Sequence, residues 1–516
     1  MKRVLKSLVE RGVLDSPQVT PEMISGLDSS CAYLKSIARG DEWVYFVAKL
    51  QGRRVLVIGG SNPDSRFKGE VVELNDRCMM QMVGLDAEAA DGLRSVFAWT
   101  APVAISSTPS TMGLGDRLGI ASPGHIQLIR QYEARPVLAQ QSSRELMLTD
   151  RTYREVVDCA TVAVFQEGYR EGFGADGDHL KNFEEVENVL DCGASMITFD
   201  SSEHISAEAA AMSTDRLKAA YAELPEALRR RYEARYLDRS FTVKGFADEQ
   251  FTVHFNQEEV ARNVLVYHKA LEFTEQVYAR LRKRVGSRPV DFEMSIDETT
   301  TPTTPAQHYF VANELAEAGV ESTSLAPRFC GEFQKGIDYI GDIAQFEAEY
   351  KVHEAIARRF GYKLSIHSGS DKFSVFPIIG KYSEQKVHVK TAGTNWLEAV
   401  RAIARVAPDL YRRMHTMALN RFSEATKYYH VTTDLSKVPE LSSLGDEQLP
   451  ELMNRDEARQ LMHITYGVLL TAEDDQGQRT IRKEVYDVLN DQEEAYAKAL
   501  RDHIGRHADT LGFRKR

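Results

Sequence analysis

Cysteine is scarce. The five thiols, Cys31, Cys78, Cys159, Cys192 and Cys330, are odd in number and contain no CxxC pair. Neither a disulfide framework nor a thiolate zinc site is therefore indicated, and the thiols read as reduced and buried. No window approaches the roughly 18 uninterrupted apolar residues of a membrane span. The opening "MKRVLKSLVERGVLD" is basic but is interrupted by Lys6, Glu10 and Arg11 before a secretory apolar core can form. The expectation is a cytoplasmic protein with no membrane partner. Basic residues are outnumbered, 64 to 76, for a net charge of −12, which disfavours nucleic acid as a partner. The chain also lacks GxxxxGK[ST], HExxH and GxSxG, so phosphate-loop kinases, zincin proteases and serine hydrolases find no support. "GLGDRLG" (113–119) imitates a dinucleotide glycine pattern. Its third glycine is misplaced, and no acidic residue follows at the required distance, so no nucleotide cofactor is expected.

What is present is a soluble globular composition, 43% apolar and 27% charged, on 516 residues, enough for a large barrel with accessory modules. Residues 1–105 read as a separate αβ module in which "EWVYFVAKLQGRRVLVIGGS" forms two strands around the turn "QGRR". From about residue 106 to 400 a short apolar run followed by a helical stretch recurs. The expected strands are 113–121, 135–142, 172–179, 195–202, 290–298, 322–329, 363–370 and 386–393. Eight βα units predict an α/β fold of the (β/α)8 TIM type, with its chemistry at the C-terminal strand ends. Between the fourth and fifth strands, 206–289 is too long for an ordinary connection and reads as a helical insertion that can cover the barrel mouth or build a homo-oligomer contact. Residues 401–516 read as a helical region packed on the barrel.

The polar residues at those ends include Gln140, Gln141, Asp178, His179, Asp200, Asp297, Glu298, Arg328, His367, Lys390 and Thr391. In "GFGADGDHLK" (172–181), Asp178 either caps the helix that follows or acts as a general base beside His179. His179, Glu298 and His367 form a borderline N/O donor set suited to Zn²⁺, Mn²⁺, Co²⁺ or Ni²⁺, with Asp297, Glu332 and His308 as competitors for the carboxylate's place. Arg328, Lys335, Lys372 and Lys390, with Asn395, are candidates for holding a substrate carboxylate together, Arg328, Lys372 and Lys390 being singled out as its anchors. Gln141, Ser142, Thr198 and Asp200 are candidates for binding substrate hydroxyls, although such residues also serve structural roles.

The segments "GFGADGDHLKNFEEV", "SIDETTTPTTPAQHYF", "APRFCGEFQKGIDY", "SIHSGSDKFSVFPIIGK" and "HVKTAGTNWLEAVR" together resemble the tagaturonate epimerase family. The resemblance runs from about residue 110 to the end. More distantly, Asp178-His179 and "IHSGS" are similar to class II metal-dependent ketose aldolases. The resemblance implies interconversion of D-tagaturonate and D-fructuronate in hexuronate catabolism, a divalent metal, histidine ligands at His179 and His367, and an acid/base Asp178. Glu298 is expected, from its own place at a strand end, to share in the chemistry. The carbon inverted, C3, lies β to the ketone, so its C–H is not acidified. Retro-aldol cleavage of C3–C4, rotation of the aldehyde and recombination avoid that difficulty. The rival expectations are an aldolase that releases its fragments and a non-catalytic barrel subunit.

Overall fold

The computed structural model describes residues 1–516. The N-terminal module is an antiparallel sheet of five strands, β1 (Ala38–Gly40), β2 (Trp43–Leu50), β3 (Arg53–Gly60), β4 (Glu70–Asn75) and β5 (Cys78–Gly84), in the order β1-β2-β3-β5-β4. The β2–β3 hairpin turns on Gln51 and Gly52, both at positive φ, the backbone that lets a two-residue turn follow the strand twist. One face of this sheet buries Leu5, Leu8, Val44 and Phe46. The other packs Tyr45, Val47, Leu56 and Leu93 against Phe165 of a barrel helix.

The barrel closes from eight parallel strands, β6 (Ser110–Gly113), β7 (Ala134–Ser142), β8 (Gly174–Leu180), β9 (Met196–Asp200), β12 (Asp291–Ile296), β13 (Ser324–Pro327), β14 (Lys363–Ile366) and β15 (Val387–Lys390). This is the TIM-type architecture expected from the recurring rhythm. The first strand is displaced from its expected place at 113–121. β6 ends at Gly113, and the apolar residues beyond it belong to a loop, because the Asp116 carboxylate accepts the amides of Leu118, Gly119, Ala121 and Ser122. Gly115 and Gly119 at positive φ complete the break.

The stretch 206–289 is not wholly helical. Short helices at Thr214–Glu223 and Glu226–Tyr236 precede a hairpin, β10 (Arg239–Lys244) and β11 (Gln250–Phe255), after which Gln257–Val285 returns as the outer helix beside β12, with Tyr278 edge-on to Phe292 at 5.2 Å. The hairpin lies on the barrel's outer helices, where Phe241 stacks on Tyr309 at 4.7 Å, and Arg235 pairs with Glu314 at 2.6 Å. It does not reach the mouth. The C-terminal helices dock on the helix Ala392–Val406: the Trp396 indole donates to the Met462 carbonyl at 2.7 Å and Tyr496 to the Asn395 carbonyl at 2.9 Å. No helix is long and apolar enough to cross a membrane.

Packing of this density leaves several histidines without water. Burial pushes the imidazoles of His125, His353 and His415 down to about 4. Each ring stays neutral in the fold but takes up a proton when unfolded below its ordinary 6.5. Stability is therefore complete above that pH and falls as the pH drops towards 4, by about 1.4 kcal/mol per unit for each ring. Thermal unfolding followed from about pH 7.5 to about pH 4.5 is expected to show Tm declining steeply once the pH passes below the histidine range. A flat Tm over that interval would contradict this.

Candidate active site

The C-terminal strand ends enclose a cleft of about 160 Å³ lined by Asp178, His179, Asp200, Asp297, Glu298, His367 and Lys390, among others. Two neighbouring side chains of a regular strand point to opposite faces; Asp178 and His179 nevertheless both face the cleft. A bulge makes this possible. Gly177 pairs with Ile197 and Leu180 with Phe199, so one extra residue is inserted in β8, and His179 sits at φ 55°. The left-handed backbone costs a non-glycine residue on the order of 1 kcal/mol and re-aims its ring into the mouth. Ser368, after β14, repeats the device at φ 48° beside His367.

Below the mouth, Lys390 of β15 is the hub. Its ammonium donates to Asp178 Oδ1 and Thr198 Oγ1, both at 2.6 Å, and lies 3.1 Å from Asp176 Oδ2 and from Glu293 Oε1. Thr198 in turn donates to Asp176, and Gln140 donates to the same carboxylate at 3.1 Å. Burial would raise the Asp178 carboxyl, but Lys390 and then His179 hold it well below the usual carboxylate range. Asp178 is thus ionised. Its Oδ1 is engaged by Lys390 and by His179 Nδ1 at 3.1 Å, while Oδ2 has no protein partner.

His367 stands between two carboxylates, Nε2 at 2.8 Å from Glu293 and Nδ1 at 3.0 Å from Asp297. The His179 and His367 ring centroids are 4.7 Å apart, and ligand atoms of His179, Asp297 and His367 all lie within 4.8 Å of one another. Each ring has one nitrogen held from behind by a carboxylate, Asp178 or Glu293, and the other turned towards Asp297. Metal-binding histidines are oriented in this way. Burial alone would lower the His179 imidazole, but Asp178 and Asp297 raise it to about 10. Five carboxylates, Asp176, Asp178, Glu293, Asp297 and Glu298, surround one lysine and two imidazoles. The surplus of negative charge and the N/O donors both fit a divalent cation.

The other expected residues divide. Asp178 does not cap the next helix; Asn182 does, accepting the amide of Glu185. Glu298, expected as the carboxylate ligand, lies at the rim, 4.0 Å from His179 Nε2 and 3.8 Å from Arg144, while Asp297 takes the central position. Glu332 lines an adjoining cavity, and His308 is buried against His353 and Tyr362, away from the cleft. Asp200 and Ser142 reach the cleft, Ser142 also capping the helix Ser143–Thr149. Thr198 is one layer deeper, against Lys390. Gln141 points away and donates to the Gln140 carbonyl, leaving Gln140 to face inwards. Arg328 lines only the adjoining cavity. Lys372 is withdrawn altogether: its ammonium donates to the carbonyls of Gln334, Ile337 and Ser370, so it cannot anchor a substrate carboxylate. Asp176 and Glu293 are the acidic residues that reading only the strand ends passes over. The signal for Glu293 is an acid inside the apolar run "VDFEMSI", a buried charge that requires partners. Residues of the C-terminal region, Tyr429 and His463, line the mouth, covering of which is one of the two roles expected of the insertion.

A TIM-type barrel whose mouth gathers an ionised acid, a buried lysine and a two-histidine, one-carboxylate group is the framework of an acid/base barrel enzyme with a candidate divalent-metal centre. The profile of the tagaturonate epimerase family matches residues 33–511, and the chain belongs to that family. It is 39% identical over 481 residues to a tagaturonate/fructuronate epimerase of Thermotoga maritima, covering 93% of this chain and 96% of that one. The crystal structure of a fructuronate-tagaturonate epimerase from Cohnella laeviribosi with one glycerol bound superposes with a TM-score of 0.90 at 48% identity, over 99% of both chains. The native structure of the same protein gives the same values.

Proposed function

We propose that the chain carries out its family's reaction, interconverting D-tagaturonate and D-fructuronate, by breaking and remaking C3–C4 beside a divalent cation held by His179, Asp297 and His367. The observation that carries this reading is the bulge in β8, which sets an ionised carboxylate and a candidate ligand next to each other in one cleft. Zn²⁺, Mn²⁺, Ni²⁺ and Co²⁺ all suit the donors. When bound, such an ion supplies a Lewis acid for the negative charge that develops on the ketone oxygen. Glu298 lies within reach of His179 as a further carboxylate at the rim.

The protein's own groups do the rest. Asp178 Oδ2 takes the C3 hydroxyl proton; the C3–C4 pair passes into the ketone fragment as an enediolate, and C3 becomes an aldehyde carbon. Rotation of the aldehyde presents its other face. The pair then returns to C3 and Asp178 gives the proton back to the new alkoxide, so no atom is gained or lost. Lys390 keeps Asp178 ionised and points its free oxygen outwards, which makes it a positioning residue. Tyr429 and His463 narrow the mouth and favour retention of both fragments.

Turnover in D2O tests the bond that breaks. The expected product carries its full C3 proton, because neither cleavage nor recombination touches that C–H. Deuterium at C3 would show direct proton abstraction and overturn the mechanism. Accumulation of a free three-carbon aldehyde acid would show a lyase.

A further inference from the structure

The cleft contains polar groups that the chemistry above does not use. His463 is 1% exposed and neither ring nitrogen has a partner. Arg117 is 2% exposed; Nε and Nη2 engage Glu145 Oε1 at 2.8 and 2.6 Å, while Nη1 has no partner. Its guanidinium lies 4.0 Å from the Tyr466 ring centre, which fixes its plane. Lys335 reaches in to donate to Ser368 Oγ at 2.9 Å, and Ser368 follows His367 directly. His463, Arg117, Lys335 and Ser368 all line the same cleft.

The helix Ala392–Val406 begins here. Its N-cap, Thr391, makes no side-chain cap and donates instead to the Gly113 carbonyl, so the amides of Ala392 and Gly393 have no acceptor in the fold. Unpaired amides at a helix start favour an anion. Gly393 is required for a local reason: a Cβ there would come within 2.1 Å of His463 Nε2. The glycine admits the imidazole to the helix start.

We propose that Arg117, Lys335, His463 and the amides of Ala392 and Gly393 form the subsite that holds the substrate's carboxylate. This deepens the epimerase reading and rests on it. Two cations against the single carboxylate of Glu145 leave one net positive charge, which matches a carboxylate monoanion better than a phosphate dianion. The neutral imidazole adds a donor without adding charge. The subsite meets the candidate metal group at Ser368, so a six-carbon acid anchored by its carboxylate would lay its hydroxyl-bearing carbons towards His367 and Asp178. Anchoring also keeps the aldehyde acid in place while it rotates, a step that a released fragment could not complete.

Calorimetric binding of D-galactonate, an aldonate with no ketone to cleave, and of the neutral hexitol galactitol tests this on the metal-loaded protein. The expected result is tighter binding of the aldonate to wild type by about tenfold or more, with the preference lost in Lys335→Met and reduced in His463→Leu. Thermal melting verifies that each variant is folded, and Lys218→Met, exposed on the helix Thr214–Glu223 and in neither cavity, should keep the preference. Equal binding of both probes to wild type, or an unchanged preference in folded Lys335→Met and His463→Leu, would overturn the subsite. Conversion of tagaturonate is measured separately, so an enzyme that epimerises without preferring the aldonate contradicts the subsite alone.

Discussion

Replacing Asp178 with asparagine is expected to lower kcat about 10³-fold, within the range set by loss of a positioned base, while bound divalent metal is unchanged. Asparagine fills the same space and can still accept from Lys390 and His179, so the bulge and the ring positions survive. What disappears is the free, ionised Oδ2 that takes the C3 hydroxyl proton. His179→Ala is expected to behave differently, losing both metal and turnover, because it removes one of three converging donors. Metal analysis beside steady-state kinetics on the two variants separates the roles. Equal metal content and equal activity in both would show that neither residue has the role assigned to it.

Lys390→Met is expected to be the most damaging single change to the folded state. The ammonium is the one group that touches all three of the buried carboxylates Asp176, Asp178 and Glu293, and Asp176 has no imidazole beside it as the other two have. Removing one partner of a buried charge network costs about 3–5 kcal/mol, because the remaining charges are left uncompensated. The penalty should appear as a lower midpoint of denaturant unfolding. Adding Asp176→Asn to the same chain should recover part of the loss, because one of the stranded carboxylates is then neutral. A Lys390→Met protein as stable as wild type would mean that these carboxylates share protons in the fold and that Lys390 is not their counter-charge.

The barrel was legible because each strand is a short apolar run closed by polar residues, and seven of the eight expected spans overlap the observed strands over most of the latter's length. The exception shows what rhythm cannot detect. "GLGDRLGIA" has the apolar content of a strand, yet Asp116 gathers four backbone amides two to six residues ahead and turns the segment into a loop, an effect of one side chain that apolar periodicity does not register. Within the cleft, Asp178, His179, His367 and Lys390 could be found from their places at strand ends. The choice between Asp297 and Glu298 could not, since adjacent residues differ by a single step of register and it is the folded strand end that turns Asp297 to His367. Arg328 and Lys372 have suitable chemistry for holding an anion, but the fold turns one into a neighbouring cavity and spends the other on three carbonyls. His463 and Tyr429 lie far beyond the last strand, and nothing in their local sequence marks them as part of the mouth. Asp178 next to His179 reads as a helix cap as readily as a catalytic pair; the cap supplied by Asn182 removes the first reading.

The central claim, epimerisation that depends on a divalent metal at the mouth of the barrel, is tested most directly by NMR of D-tagaturonate incubated with chelator-treated protein before and after Mn²⁺, Zn²⁺, Ni²⁺ or Co²⁺ is restored. The account predicts no D-fructuronate from the stripped protein and its appearance once at least one of the four ions is returned. Full conversion by the stripped protein, or none with any ion, would contradict it.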